Sequence, residues 1–207
     1  MLARSVPPLQ KTVARLTWGI LIKFPIPRVD DINVLPPSFD VSGFYNAKNA
    51  AASFRRMTDP VHSRNPAEGY AYDAMVRNFE QDAIGLIAKN PNVKFDIYFP
   101  AYSILQFVAM RDASPATLKI VYGFSAYAAS RLLQFPNARL YDFRVAKEIT
   151  HDLNNYGDLV HHSPTVDLKI LAWLSEGNYV VDRTAPMASL ERLKAQVEAY
   201  RIGDMER

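Results

Sequence analysis

From Val93 to Phe99, the residues Val93, Phe95, Ile97 and Phe99 alternate with Lys94, Asp96 and Tyr98, which is the period of a β-strand. The segments on both sides have the helical period instead. Before it, Tyr72, Met75, Val76, Phe79, Ala83, Leu86 and Ile87 form one stripe, bounded by Pro66 and Pro91. After it, Ser114-Pro115 opens a helix, with serine as cap and proline in the first turn. That helix buries Leu118, Val121, Tyr122, Ala129, Leu132 and Leu133 and stops before Pro136. A second strand reads Arg139 to Phe143. Ser163-Pro164 then repeats the helix start, with Val166, Ile170, Trp173 and Leu174 inward and Gly177 as the stop. A last helix runs from about Thr184 to Arg201 on Leu190, Leu193, Val197 and Tyr200. Helix, strand, helix, strand, helix in that order implies an α/β fold with a parallel pair and a right-handed crossover.

Two strands make a thin sheet for so many helices, even if Tyr179-Val180-Val181 adds a third. Buried parallel strands need neighbours and helices on both faces. The chain therefore reads as part of a larger α/β fold, a partial parallel sheet flanked by helices. Exposed edges of such a sheet favour association, so a homodimer or a missing N-terminal portion is expected.

Residues 1–65 differ in character. Leu9, Val13, Leu16 and Ile20 share one helical face, which predicts a short amphipathic helix. Arg4, Lys11 and Arg15 precede the apolar run Trp18 to Ile22, which Lys23 interrupts. That run is too short for a signal-peptide core or a membrane span. Prolines at 25, 27, 36, 37 and 60 then predict an irregular wrapping or linking segment, with a short helix over about 44–55. The division expected is 1–65 for this segment and 66–203 for the α/β part.

Charge and cysteine content narrow the chemistry. The 24 Lys and Arg are scattered among 21 acids, and no basic run alternates with aromatics. A net charge of +3 is then a solvated surface rather than a nucleic-acid footprint. The absence of cysteine removes disulfides, thiolate metal sites and cysteine nucleophiles.

In open α/β sheets ligands bind beyond the C-terminal ends of the strands. Two segments leave such ends, Phe99 to Ser103 and Arg144 to His162. The second holds His151, His161 and His162 with Asp152 and Asp158. A histidine acting as a base needs an acceptor on its second ring nitrogen. Asp158 lies three residues before His161, directly ahead of the Ser163-Pro164 helix start, and meets that need. The alternative is a histidine that braces the loop. Zinc held by His151 with His161 or His162 and Asp158 finds no tight two-histidine spacing, so no metal or other cofactor is expected. Ser103 lacks the glycine-flanked turn that exposes a nucleophile and reads better as the hydroxyl of a helix start near Tyr102.

Asn155 to Pro164 resembles the C-terminal block of the SGNH (GDSL-like) hydrolases, where Asp-x-x-His before the last helix completes a Ser–His–Asp triad. Phe99-Pro100-Ala101-Tyr102-Ser103 is similar to the Pro-Pro-Tyr-Ser segment of bacterial SGNH-like proteins of envelope polysaccharide modification, and Tyr141-Asp142-Phe143 to their Asp-Phe strand. The resemblance covers roughly residues 66–181 and implies a partial doubly wound, flavodoxin-like parallel sheet flanked by helices, its first strands missing. It implies an ester hydrolase or O-acyl transferase acting on acylated polysaccharide or a small ester, periplasmic or envelope-facing. His161 and Asp158 would be catalytic, and Tyr102, Ser103 and Tyr156 would lie against substrate. The family's Gly-Asp-Ser nucleophile block is absent, as is its Gly-x-Asn-Asp block of oxyanion donors. The alternative implied is a non-catalytic α/β domain that binds a glycan or a partner chain.

Overall fold

The computed structural model describes residues 12–17, 20–25, 43–60 and 71–206. Two strands, β1 (Thr12–Thr17) and β2 (Ile20–Pro25), form an antiparallel pair with Thr17 opposite Ile20. This replaces the amphipathic helix expected on Val13, Leu16 and Ile20; Leu9 lies outside the described residues. The β-branched residues Thr12, Val13, Thr17, Ile20 and Ile22 favour an extended chain, and a few apolar residues at helical spacing do not outweigh them. The proline-rich stretch over 27–37 also lies outside the described residues.

Helix α1 (Ala47–Thr58) starts three residues later than expected because Asn46 caps it, its side chain accepting the Asn49 amide at 2.9 Å. Ala50 and Phe54 carry it into the core. The next stripe folds as α2 (Tyr72–Asn78), a π-helical turn (Phe79–Ile84) and α3 (Gly85–Lys89), with Phe79, Ala83, Ile84 and Ile87 buried. Glu80 in the π turn bonds Arg131 and Tyr127, and those bonds pull its carboxyl down to about 2.

Strands β3 (Phe95–Phe99) and β4 (Ala138–Asp142) pair in parallel, Phe95 opposite Ala138 and Phe99 opposite Asp142. The chain is thus α/β, with helices around a two-stranded parallel sheet. Ile97 and Leu140, register partners, join one apolar cluster with Phe79, Ile84 and Leu132. Tyr98 and Tyr141, the next pair, join another with Phe54, Leu105, Phe143 and Leu193. Both faces of the pair are therefore buried, as a parallel sheet requires.

The helix start expected near Tyr102 opens a full helix in the crossover. Between β3 and α5 (Pro115–Leu132) lies α4 (Ile104–Ala113), in which Ile104, Leu105, Phe107, Val108, Ala109 and Met110 are all buried. An apolar surface on every side leaves no polar face to mark a helical period. Ser114 starts α5 by position, but its hydroxyl pairs with Thr117 Oγ1 at 2.7 Å instead of capping a backbone amide. Ser163 likewise makes no side-chain cap; its carbonyl takes the Val166 amide at 2.9 Å.

Beyond β4, a 3₁₀ turn (Phe143–Val145), α6 (Lys147–Thr150), a second 3₁₀ turn (Leu153–Asn155) and α7 (Pro164–Glu176) follow. Tyr179 to Val181 return antiparallel along the edge of β4 as a single bridge rather than a full third strand. The reversal uses Gly177 and Tyr179, both at positive φ, and aromatic contacts with Phe143 and Trp173 hold Tyr179 there. Helix α8 (Ala188–Ala199) begins later than Thr184 because Asp182 takes both the Thr184 amide and its hydroxyl, making a turn. Among the described residues no helix is long and apolar enough to cross a membrane.

Candidate functional site

Both segments that leave the C-terminal ends of β3 and β4 meet each other. The Ser103 amide donates to the Leu159 carbonyl at 3.1 Å, and Tyr156 donates its hydroxyl to the Ala101 carbonyl at 2.6 Å. Tyr156 also bridges His162 across the base of the loop. The loop between them, Gly157 to His161, is closed by the Gly157 amide on the His161 carbonyl.

Asp158 organises that loop. Its Oδ1 accepts the amides of Val160 at 2.8 Å and His161 at 2.7 Å, and its Oδ2 takes His161 Nδ1 at 2.6 Å. One carboxylate thus shapes the turn and fixes the ring. Burial works to raise the Asp158 carboxyl, but the His161 amide, the His161 ring and the Val160 amide outweigh it and hold it below its ordinary value. The imidazole is 71% exposed while its partner is 32% exposed. With Nδ1 committed to Asp158, Nε2 is the nitrogen left for proton transfer. Among the described residues, no hydroxyl is hydrogen-bonded to His161.

The depressed carboxyl makes a prediction about acid. A group whose folded value is lowered adds stability above its unfolded value, and that stability disappears as pH falls through the folded value. The stability difference between the protein and Asp158→Asn should therefore shrink as pH drops below about 4. Urea melts of both proteins across pH 3 to 7 check this; a constant gap would mean that the charge of Asp158 does not hold the loop.

The other expected residues are framework in this arrangement. Ser103 is fully buried at the N-cap of α4, its hydroxyl accepting the Leu105 amide at 3.3 Å. Ser103→Ala should cost about 1 kcal/mol of stability, as cap removal does, without changing any ester-hydrolysis rate. A rate loss out of proportion to that cost would mark the hydroxyl as chemical. Tyr156 is also fully buried, and burial pushes its phenol far up. Tyr102 is half-buried and packs on the core. His151 stands apart from the dyad, its ring 5.7 Å from Tyr200 and its Nδ1 3.0 Å from Thr150 Oγ1. His162 points inward, its Nδ1 3.6 Å from Asp167 Oδ1. No group of three or more potential metal ligands forms among the described residues.

Two neighbours were not legible as site residues. The Asn46 amide bonds the Tyr156 carbonyl at 3.0 Å and Ala47 bonds Asn154 Oδ1, so the turn before α1 lies along the loop. This brings the Phe44 ring onto Gly157, where a Cβ would stand 1.9 Å from the ring. Burial, with the fields of Asp167 and Asp158, raises the phenol of adjacent Tyr45. The only sequence signal was a pair of aromatics inside a polar, proline-broken stretch.

Asp142 ends β4 in a buried ion pair. Arg144 Nε and Nη2 each reach the Asp142 carboxylate at 2.7 Å, Nη1 reaches Ser125 Oγ at 2.7 Å, and Ser189 Oγ donates to Asp142 at 2.9 Å. The guanidinium also lies 3.8 Å from the Phe99 ring centre. Against family models, curated proteins and solved structures, the chain finds no match.

Proposed function

We propose that Asp158 and His161 are the acid–histidine half of an SGNH-type serine ester hydrolase or O-acyl transferase site, acting on acylated polysaccharide. The observation that carries this reading is the 2.6 Å contact between Asp158 Oδ2 and His161 Nδ1, on an exposed loop beyond the C-terminal ends of parallel strands. In such a site a serine oxygen attacks the ester carbonyl while His161 Nε2 takes its proton. The imidazolium, stabilised by Asp158, then protonates the leaving alcohol. Water or a second sugar hydroxyl, activated by the same nitrogen, removes the acyl group from the serine. By resemblance that serine belongs to a Gly-Asp-Ser block, which this sequence lacks, so Asp158 and His161 form half of a site.

Acetate release from an aryl acetate and from an O-acetylated xylo-oligosaccharide tests the reading, with fluorophosphonate labelling to locate the serine. Release that His161→Ala abolishes supports it. Equal release by both proteins, or none by the unaltered one, overturns it. A second reading, a non-catalytic domain that binds glycan or a partner chain, is favoured by the lack of any hydroxyl on His161 among the described residues. It predicts binding of the oligosaccharide without turnover or labelling.

A further inference from the structure

Phe44 is a large apolar ring, 43% exposed and firmly held. Asn49 Nδ2 donates to the Phe44 carbonyl at 2.8 Å, Asn46 Nδ2 to the Gly43 carbonyl at 2.9 Å, and the Asn46 amide to Tyr156. Tyr45 supports the ring edge-on, with centroids 5.1 Å apart. Its inner side rests on Gly157, the residue before Asp158, where only glycine leaves room: Cδ1, Cε1 and Cζ would all lie within 2.4 Å of an added Cβ. The ring is thus fixed beside the dyad with apolar surface left to solvent. The Asp158 carboxylate follows directly on Gly157, where the ring rests, so the negative charge beside the ring disfavours an anionic ligand.

We propose that Phe44 is a substrate-positioning residue, a platform on which the apolar C–H face of a neutral acylated sugar ring stacks so that its ester faces His161. This rests on the ester-hydrolase reading and names the substrate's sugar as uncharged. Rigid aromatic surface held in place before binding contributes affinity at small entropic cost.

The test compares Phe44→Ala and Phe44→Trp with the unaltered protein, using an aryl acetate, a neutral O-acetylated xylo-oligosaccharide and an O-acetylated oligouronate. For Phe44→Ala, KM for the neutral oligosaccharide should rise roughly tenfold, with kcat and the aryl acetate rate unchanged. Phe44→Trp should restore KM, and the oligouronate should be the poorer substrate for the unaltered protein. Parallel loss on both esters, an unchanged KM or a preference for the oligouronate would overturn the proposal. Titration of the neutral oligosaccharide into His161→Ala, followed by NMR, separates the two readings. Phe44-dependent binding without turnover by the unaltered protein keeps the platform and rejects the hydrolase, whereas no binding rejects the platform.

Discussion

Asp142→Ala should destabilise the protein by about 3–5 kcal/mol, the cost of leaving a buried charge without its partner. Asp142 is fully buried and Arg144 is 4% exposed, so water cannot replace the lost carboxylate. The substitution also deprives Ser189 Oγ of its acceptor and the Arg144 amide of its side-chain cap. A domain's whole stability is only about 5–15 kcal/mol, so this one change removes a large share. The midpoint of urea unfolding should fall at an unchanged m-value. Adding Arg144→Met to the same chain should recover part of the loss, because no uncompensated charge then remains. A cost under about 1 kcal/mol would show that the network does not hold the end of β4. That end matters for the site, since the loop carrying Asp158 and His161 issues from it.

The largest effect on activity is expected at the dyad. General acid–base catalysis contributes about 10²–10⁴-fold, and His161→Ala removes it. Asp158→Asn should lose a comparable factor for a different reason. The amide oxygen still accepts the Val160 and His161 amides, so the loop keeps its shape. An amide cannot stabilise the imidazolium, however, and its NH₂ placed against Nδ1 favours the wrong tautomer. The expected result is a kcat loss on the aryl acetate with far-UV circular dichroism unchanged. If Asp158→Asn stayed within a few-fold of the unaltered rate, the aspartate would be a loop brace only. Asp158 already serves as that brace through its two amide bonds, so the kinetic measurement separates its two roles.

The strands and the helices with one apolar face were readable because each has a period. Phe95 to Phe99 alternates and pairs as a strand; Val166, Ile170 and Leu174 recur on α7 and are buried. Of helix α4 only the start at Ser103 was readable, since burial along its body erases the polar half of the pattern. At the N-terminus, Val13, Leu16 and Ile20 fit a helical stripe, yet Thr12–Thr17 and Ile20–Pro25 pair as strands. In a segment that short, a few apolar positions satisfy either period, and the pairing partner decides.

The sequence by itself determined the α/β class, the parallel pair and the Asp158–His161 contact. All three depend on local spacing: alternation along a strand, periodicity along a helix, and an acid three positions before an imidazole. Only the tertiary structure decided what surrounds that contact. Phe44 lies on Gly157 across 113 positions, and Arg144 bonds Ser125 across 19 and shares Asp142 with Ser189, which is 47 away. Such contacts follow from how helices and loops close over the strand ends, and no residue spacing encodes that closure.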